Sequence, residues 1–371
     1  MIYFDHNATT PIDDRVLEAM LPFLSGFYGN PSALYKLGRV AHSAIDGARE
    51  QVAALVGVNA AQVIFTSGGT EANNLALQST SLNNQLAISA IEHPSISDTA
   101  LSLTPSHKII AVDPNGLISP ETIDALDLKP KSIVSMMLAN NETGVIQNIA
   151  DFSDKLNERG IIVHSDAVQA AGKIPVSFNQ LGVQRLSLSS HKLYGAKGCG
   201  ALIVERNAQI KPLISGGGQE RGLRSGTENV AAIVGFGKAA ELALAELNDR
   251  TKKLLSLRQH LENELIKIPN LTIFSQNVAR LPNTVQFSIA GIDGEMLLMQ
   301  LDQKNIAVSS GSACAAAGGK PSPVLTAMGV KPALAKGAIR ISLGKDNNLN
   351  EINTFITTLN SLITHYGNHI N

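Results

Sequence analysis

The chain has 371 residues, of which 44% are hydrophobic and 16% charged, with a formal net charge of −1. This balance, with 4% aromatic residues and no Trp, argues against nucleic-acid binding, which uses basic patches or stacking rings. The two cysteines, Cys199 and Cys314, are too few for a disulfide framework and lack CxxC spacing. Without a secretory signal or a run of about 20 apolar residues, the sequence predicts a soluble, cytoplasmic protein that does not contact a membrane.

Short apolar segments alternate with longer amphipathic ones over the first 230 residues. Such an alternation of buried strands and helices predicts a mainly parallel sheet that is covered on both faces. The predicted strands are 62–66, 85–90, 108–112, 132–138, 161–164, 185–189 and 200–204, and the predicted helices include 71–78, one after Pro94, and 151–159.

The pattern changes near residue 230. Residues 230–267 are rich in Ala, Leu, Glu and Lys and predict one long helix or two joined helices, with a stop at Pro269. The rest of the chain predicts a smaller α+β unit, with strands at 284–289, 306–309 and 338–343 and helices at 294–302, 323–328 and 349–365.

A glycine-rich segment, Ser67-Gly68-Gly69-Thr70-Glu71, lies between a predicted strand and a predicted helix. Glycines let the backbone approach an anion, and a helix N-terminus offers unpaired N–H groups and a positive dipole end. Thr70 can add a hydroxyl donor. The segment fits a phosphate site, and it fits equally a capped helix start that binds no ligand.

Two side chains with complementary chemistry follow successive predicted strands. Asp166 comes just after strand 161–164, and Lys192 comes just after strand 185–189. Because ligands bind beyond the carboxyl ends of parallel strands, both are expected at one sheet edge. A lysine amine can form a Schiff base with an aldehyde, and a carboxylate can keep a pyridinium nitrogen protonated. Singly these residues could be a surface lysine and a helix cap, but with the glycine-rich segment they predict pyridoxal 5'-phosphate as the cofactor.

Three further residues fit this cofactor. His93 could stack on the flat ring, Asn141 could donate to the ring hydroxyl, and Gln169 could reach the same oxygen. Their alternatives are an ordinary loop histidine, a turn asparagine and a surface helix residue.

The two cysteines lie in opposite settings. Cys314 is surrounded by small residues for about ten positions, which predicts a mobile arm that could carry a thiol to a substrate. A buried small side chain is the alternative. Cys199 opens the apolar strand 200–204 and is expected to be inert packing.

Taken together, the motifs resemble the class V aminotransferase-like group and, within it, the NifS/IscS-type (group I) cysteine desulfurases. The matching segments span nearly the whole chain and are 4–11, 66–74, 140–144, 166–169, 187–195, 216–227, 309–314 and 339–344.

The resemblance implies a fold-type I pyridoxal-phosphate-dependent transferase of the α/β class, in which a large domain has a mainly parallel sheet and a smaller domain is α+β. Residues 12–248 would form the large cofactor-binding domain. Residues 1–11 and 249–371 would form the small domain that carries the cysteine loop. It also implies a homodimer with active sites at the subunit interface.

The resemblance adds roles for residues that the pattern alone leaves without one. Thr227 would reach the phosphate of the neighbouring subunit, and Asn141 and Arg340 would hold the substrate carboxylate, which suits a planar bidentate guanidinium. From its position alone, Arg340 could instead belong to a surface ion pair. The predicted cofactor-binding set is Gly69, Thr70, His93, Asn141, Asp166, Gln169, Ser189, His191, Lys192 and Thr227.

By this resemblance the chain is expected to convert L-cysteine to L-alanine and to keep the sulfur as a persulfide on Cys314. The catalytic set would be Cys314, Lys192 and His93, with His93 as a candidate acceptor of the thiol proton. An acceptor protein, either an iron–sulfur scaffold or a thiolation factor, would take the sulfur. No resident metal is expected, and only a transferred iron–sulfur cluster would contact Cys314. The alternatives are a class V aminotransferase or selenocysteine lyase that uses the same lysine, and a scaffold without activity.

Overall fold

The computed structural model of the chain describes residues 1–78, 85–310 and 321–367. The strands in these ranges are β1 (Ile2–Tyr3), β2 (Val63–Thr66), β3 (Leu86–Ser89), β4 (Lys108–Ile110), β5 (Ile133–Ser135), β6 (Ile162–Asp166), β7 (Arg185–Ser189), β8 (Gly200–Val204), β9 (Leu271–Ile273), β10 (Thr284–Ile289), β11 (Ile306–Ala307) and β12 (Ala338–Ser342).

In the described part of the chain, the largest sheet has seven strands in the order β2-β8-β7-β6-β5-β3-β4. The strands from β7 to β4 run parallel, whereas β8 is antiparallel to both of its neighbours. Every residue of β7 and β8 is buried, as expected for strands covered on both faces. The predicted mainly parallel sheet is confirmed, and β7 and β8 begin and end at the predicted residues.

Helices cover this sheet and the rest of the fold. They are α1 (Asp14–Ser25), α2 (Lys36–Val56), α3 (Gly69–Leu77), α4 (Pro94–Leu103), α5 (Pro120–Asp124), α6 (Ile149–Glu158), α7 (Phe178–Leu181), α8 (Val230–Ala245), α9 (Leu247–Leu265), α10 (Gly294–Gln303), α11 (Pro323–Ala327), α12 (Pro332–Lys336) and α13 (Leu349–Gly367). The predicted helical stretch 230–267 consists of two helices, α8 and α9, which meet at Glu246.

Two long helices, α1 and α2, precede the first predicted strand and were not predicted. Gly38 and Gly47 lower the intrinsic helix propensity of α2. Close packing against α8 compensates for this. Gly237 of α8 lies so near α2 that a Cβ at this position would be only 2.6 Å from the Cα of Ala48. Tertiary contact therefore decides the helical state of this segment.

A second hydrophobic core lies around the antiparallel sheet β12-β10-β9. It contains Phe287 of β10 and Phe355 of α13, and it also contains Phe4 from the N-terminal segment. Strand β1 pairs in parallel with β11, which brings the first residues of the chain to this core. Phe4 and β1 therefore pack with this core, while the assignment of residues 1–11 and 249–371 to a small domain stays a prediction.

Among the helices that the structure describes, none combines the length and the apolar composition that crossing a membrane requires.

Candidate active site

The ends of β6 and β7 bring Asp166 and Lys192 together. Asp166 is the last residue of β6, and its register partner on the neighbouring parallel strand is Ser187. Strand β7 ends at Ser189 and continues into a short 3-10 turn that carries Lys192. The predicted placement of both side chains at one edge of the sheet is observed.

A cavity of about 240 Å³ opens at this edge. Nine of the ten residues that were predicted to bind the cofactor line it, although they come from five separate segments of the chain. They are Gly69, Thr70, His93, Asn141, Asp166, Gln169, Ser189, His191 and Lys192.

The carboxylate of Asp166 is held by two donors. The Nδ2 of Asn73 donates to Oδ2 at 2.7 Å, and the N–H of Val168 donates to Oδ1 at 2.9 Å. Hydrogen bonds of this kind favour the charged form of a carboxyl group. The sequence analysis did not predict a role for Asn73. Its position one turn into α3, inside the matching segment 66–74, is the feature that could have indicated one.

Ser189, which also lines the cavity, lies beside the N-terminus of α3. A Cβ on Gly69 would lie 3.4 Å from the Cβ of Ser189 and 3.0 Å from Val168 Cγ2. The missing side chain of glycine therefore lets the start of α3 lie close to Ser189. The buried Oγ of Ser189 has no hydrogen-bond partner within the described ranges. A buried hydroxyl and free helix N–H groups are the donors that a phosphate accepts from.

The N-terminal segment closes one side of the site. The Nζ of Lys192 donates to the carbonyl oxygens of Asn7 and Ala8, at 2.5 and 2.7 Å. Thr10 Oγ1 donates to the carbonyl of His191 at 2.8 Å. Residues 4–11 belong to the matching segments but had no predicted role. In the structure this segment holds the amine of Lys192 through two carbonyl oxygens.

His93 is the N-cap of α4, and its Nδ1 accepts a hydrogen bond from the N–H of Ser95 at 3.1 Å. Nδ1 therefore carries no proton, so the neutral ring carries its proton on Nε2. Burial is the main factor that lowers the pKa of His93, and the charge of Lys192 adds to it. In this tautomer Nε2 is a donor, so the role of proton acceptor for a thiol requires a change of tautomer.

Gln169 is buried, with only 5% of its surface exposed, so it is not the surface helix residue that was the alternative. Its Nε2 donates to the carbonyl of Asn7 at 2.9 Å.

Arg340 lies on β12 and is joined to the cavity through Asn141. Its Nη1 donates to the carbonyl of Asn141 at 3.1 Å, and its Nη2 pairs with Asp5 Oδ1 at 2.6 Å. The ion pair that was the alternative for Arg340 is present, but the side chain is 3% exposed and the pair is not a surface pair.

Thr227 does not line this cavity; it lines a separate cavity of about 210 Å³, together with Cys199, Glu220 and Arg224. Cys314 lies outside the described residues. Cys199 is buried, and burial raises the pKa of its thiol, which agrees with inert packing.

These residues fit pyridoxal phosphate. Asp166 would face a ring nitrogen, and the N-terminus of α3 with the Ser189 hydroxyl would hold a phosphate. Lys192 lines the same cavity and would supply the amine that the aldehyde needs. Their individual roles toward the cofactor stay predictions.

Comparison with known proteins agrees with this chemistry. The family description "Aminotransferase class-V" matches residues 2–355. Cysteine desulfurase IscS of Dictyoglomus turgidum is 39% identical over 98% of this chain and 94% of that protein. A cysteine desulfurase of Trichormus azollae is 41% identical over 92% of this chain and 88% of that protein.

Solved structures show the same relationship. A NifS-like protein from Rickettsia africae superposes with a TM-score of 0.91 at 39% identity, over 98% of this chain and 99% of that one. A structure described as SspA in complex with cysteine superposes with a TM-score of 0.80 at 34% identity, over 92% and 99% of the two chains. The chain therefore belongs to the class-V aminotransferase family, among its pyridoxal-phosphate-dependent cysteine desulfurases of the NifS and IscS type.

Proposed function

We propose that this cysteine desulfurase binds its cofactor at Lys192 and receives the sulfur of L-cysteine on Cys314. The observation that carries the proposal is the convergence of Lys192 and Asp166 on one cavity that the N-terminus of α3 also lines. This is the arrangement that the chemistry of pyridoxal phosphate needs.

Different residues of the site would have different chemical roles. When bound, pyridoxal phosphate draws electrons away from the carbon atoms of the substrate. Asp166 supplies the negative charge that keeps a ring nitrogen protonated, and the amine of Lys192 moves protons as a general base. Arg340 and Asn141 orient the substrate by its carboxylate.

Sulfur transfer to Cys314 balances without a further reactant. A bond forms between the Cys314 sulfur and the substrate sulfur while the Cβ–S bond of cysteine breaks. The freed carbon takes the proton that the thiol loses, so the products are L-alanine and a persulfide. The thiolate is the reactive form, because it is the nucleophile of cysteine chemistry.

The test is to measure alanine and sulfide release from L-cysteine for Cys314→Ser and for Cys199→Ala. We expect Cys314→Ser to retain the bound cofactor and to lose sulfur release. The buried Cys199→Ala is the matched control and should keep both. A Cys314→Ser variant that mobilises sulfur at the original rate would show that the acceptor is elsewhere.

Assays of the same variants also distinguish a desulfurase from an aminotransferase and from a selenocysteine lyase. An aminotransferase would need a keto acid and would not need Cys314, and a selenocysteine lyase would prefer selenocysteine over cysteine. Alanine formation without a keto acid, dependent on Cys314, supports the desulfurase.

We also propose a homodimer in which Thr227 serves the site of the neighbouring subunit. Its position outside the Lys192 cavity supports this assignment, because Thr227 cannot serve the site of its own subunit from there. Mixing inactive Lys192→Ala with Thr227→Ala protein tests it. A mixed dimer would contain one site with Lys192 and Thr227 both intact, so activity should return.

The persulfide is proposed to pass to an acceptor protein, either an iron–sulfur scaffold or a thiolation factor. Labelled sulfur loaded on the enzyme, followed by capture of bound proteins, identifies which acceptor takes it.

A further inference from the structure

A second lysine is buried behind the cofactor cavity. Lys173 is 8% exposed, and its Nζ donates to Gln169 Oε1 at 2.7 Å and to Asn7 Oδ1 at 2.8 Å. Both acceptors are neutral amide oxygens. A buried amine of this kind costs free energy, which its hydrogen bonds offset only in part.

These two contacts set the orientation of two carboxamides. A protonated amine only donates, so in that form Lys173 requires an oxygen opposite it and selects the side on which Gln169 Oε1 and Asn7 Oδ1 lie. The Nε2 of Gln169 must then point the other way, toward the carbonyl of Asn7. The Nδ2 of Asn7 likewise points to the carbonyl of Asn141 and to Thr284 Oγ1, at 3.0 and 2.9 Å.

The oriented carboxamides share backbone acceptors with Lys192 and Arg340. The carbonyl oxygen of Asn7 accepts from both Gln169 Nε2 and Lys192 Nζ. The carbonyl of Asn141 accepts from both Asn7 Nδ2 and Arg340 Nη1. Lys173 therefore belongs to a hydrogen-bond network that includes Lys192, the proposed cofactor lysine, and Arg340, the proposed substrate-binding arginine.

The charged surroundings of Lys173 are mainly cationic. Burial is the main cause that lowers its pKa well below the ordinary value, and the charges of Lys192 and Arg340 lower it further. The neighbouring imidazole of His6 has a pKa lowered to about 4, so it is neutral near pH 7. Residues with such unfavourable surroundings in a cleft are concentrated at functional sites.

We propose that Lys173 is a positioning residue of the cofactor site, which fixes the Gln169 and Asn7 carboxamides around Lys192. The inference rests on the proposed function, because it takes this cavity as the cofactor site. Lys173 acts through Gln169, which lines the cavity, and through Asn7, whose carbonyl oxygen accepts from Lys192.

The experiment measures pyridoxal phosphate binding to the apoprotein and the absorbance of the bound cofactor against pH. The variants are Lys173→Met, Gln169→Leu and the double variant. We expect Lys173→Met to weaken binding about tenfold, the effect of losing one or two buried hydrogen bonds, and to move the midpoint of the absorbance titration. Because Lys173 acts partly through Gln169, the double variant should lose less binding than the sum of the two single losses.

Two controls keep the outcomes separate. Exposed Lys252→Met should bind the cofactor as the original protein does. Failure of the original protein to bind pyridoxal phosphate would contradict the proposed function itself.

Additive losses in the double variant, or unchanged binding and absorbance in Lys173→Met, would overturn the role of Lys173 alone. Should Lys173→Met lose its cooperative unfolding transition, Lys173→Gln is measured in its place; loss in both would also overturn the proposal, since the fold would then need the lysine.

Discussion

Arg340 and Asp5 form an ion pair at 2.6 Å on the small-domain side of the cavity. Arg340 is 3% exposed, whereas the carboxylate of Asp5 is 19% exposed. The guanidinium is thereby held in place before any substrate arrives, and it also contacts the carbonyl of Asn141, which lines the cavity. A substrate carboxylate would have to share this guanidinium with Asp5.

Replacing Arg340 should therefore weaken substrate binding. We expect Arg340→Gln to lower kcat/KM for L-cysteine about 10- to 100-fold, because a hydrogen bond to a charged group contributes about 1.5–3 kcal/mol. Most of the change should be in KM, since the carboxylate does not react. Steady-state kinetics of alanine formation measure it. Asp5→Asn keeps the guanidinium and should change KM less; an equal loss would show that Arg340 acts only through its ion pair.

Lys192 is expected to be the only attachment point of the cofactor. Borohydride reduction followed by peptide mass spectrometry should find the label on the peptide that contains Lys192. Lys192→Ala should lose the label and at least 100-fold in rate, the range for a missing general base. Lys252→Ala, an exposed lysine, is the control. A label retained in Lys192→Ala would place the attachment at another lysine.

Substitution can separate the capping role of His93 from its predicted role in sulfur transfer. Its Nδ1 caps α4, so His93→Ala should lower the free energy of unfolding by about 1 kcal/mol. Asparagine is also a good N-cap, so His93→Asn should keep this stability while removing the ring. Urea unfolding of the apoprotein and the rate of sulfur release are the two measurements. Full activity in His93→Asn would mean that His93 serves only as a cap.

Glu92 makes stability depend on pH. Burial raises its pKa to about 8, and the charge of Asp166 adds to the increase. The folded state then keeps a proton that the unfolded state loses above about pH 4.5, so this contribution to stability is complete below pH 4.5 and is lost as the pH rises to 8.

Glu92→Gln removes that proton equilibrium and keeps an oxygen for Ser89 and Met137, which donate to Oε1. Relative to this variant, the original protein should lose on the order of 1–3 kcal/mol of unfolding free energy between pH 5 and pH 8. Urea titrations of the apoprotein at several pH values measure the difference. Exposed Glu50→Gln should follow the original protein, and a parallel pH profile for Glu92→Gln would contradict the assignment.

The local pattern of the sequence determined much of the sheet. Strand β8 is a continuous apolar run and β7 alternates Leu with Ser, and both are bounded by turn residues, so their bounds could be predicted to the residue. Asp166 and Lys192 follow such strands, and parallel strands end at a common edge. That regularity is why their convergence could be predicted without the structure.

Contacts between distant segments were decided only by the tertiary structure. The hydrogen bonds from Lys192 to Asn7 and Ala8 join residues about 185 positions apart, and Lys173 reaches Asn7 across 166 positions. No local periodicity records such pairs, because they depend on how β1 docks against β11 and how the two cores meet. The sequence by itself therefore determined which groups could perform the chemistry, and the tertiary structure decided which neighbours orient them.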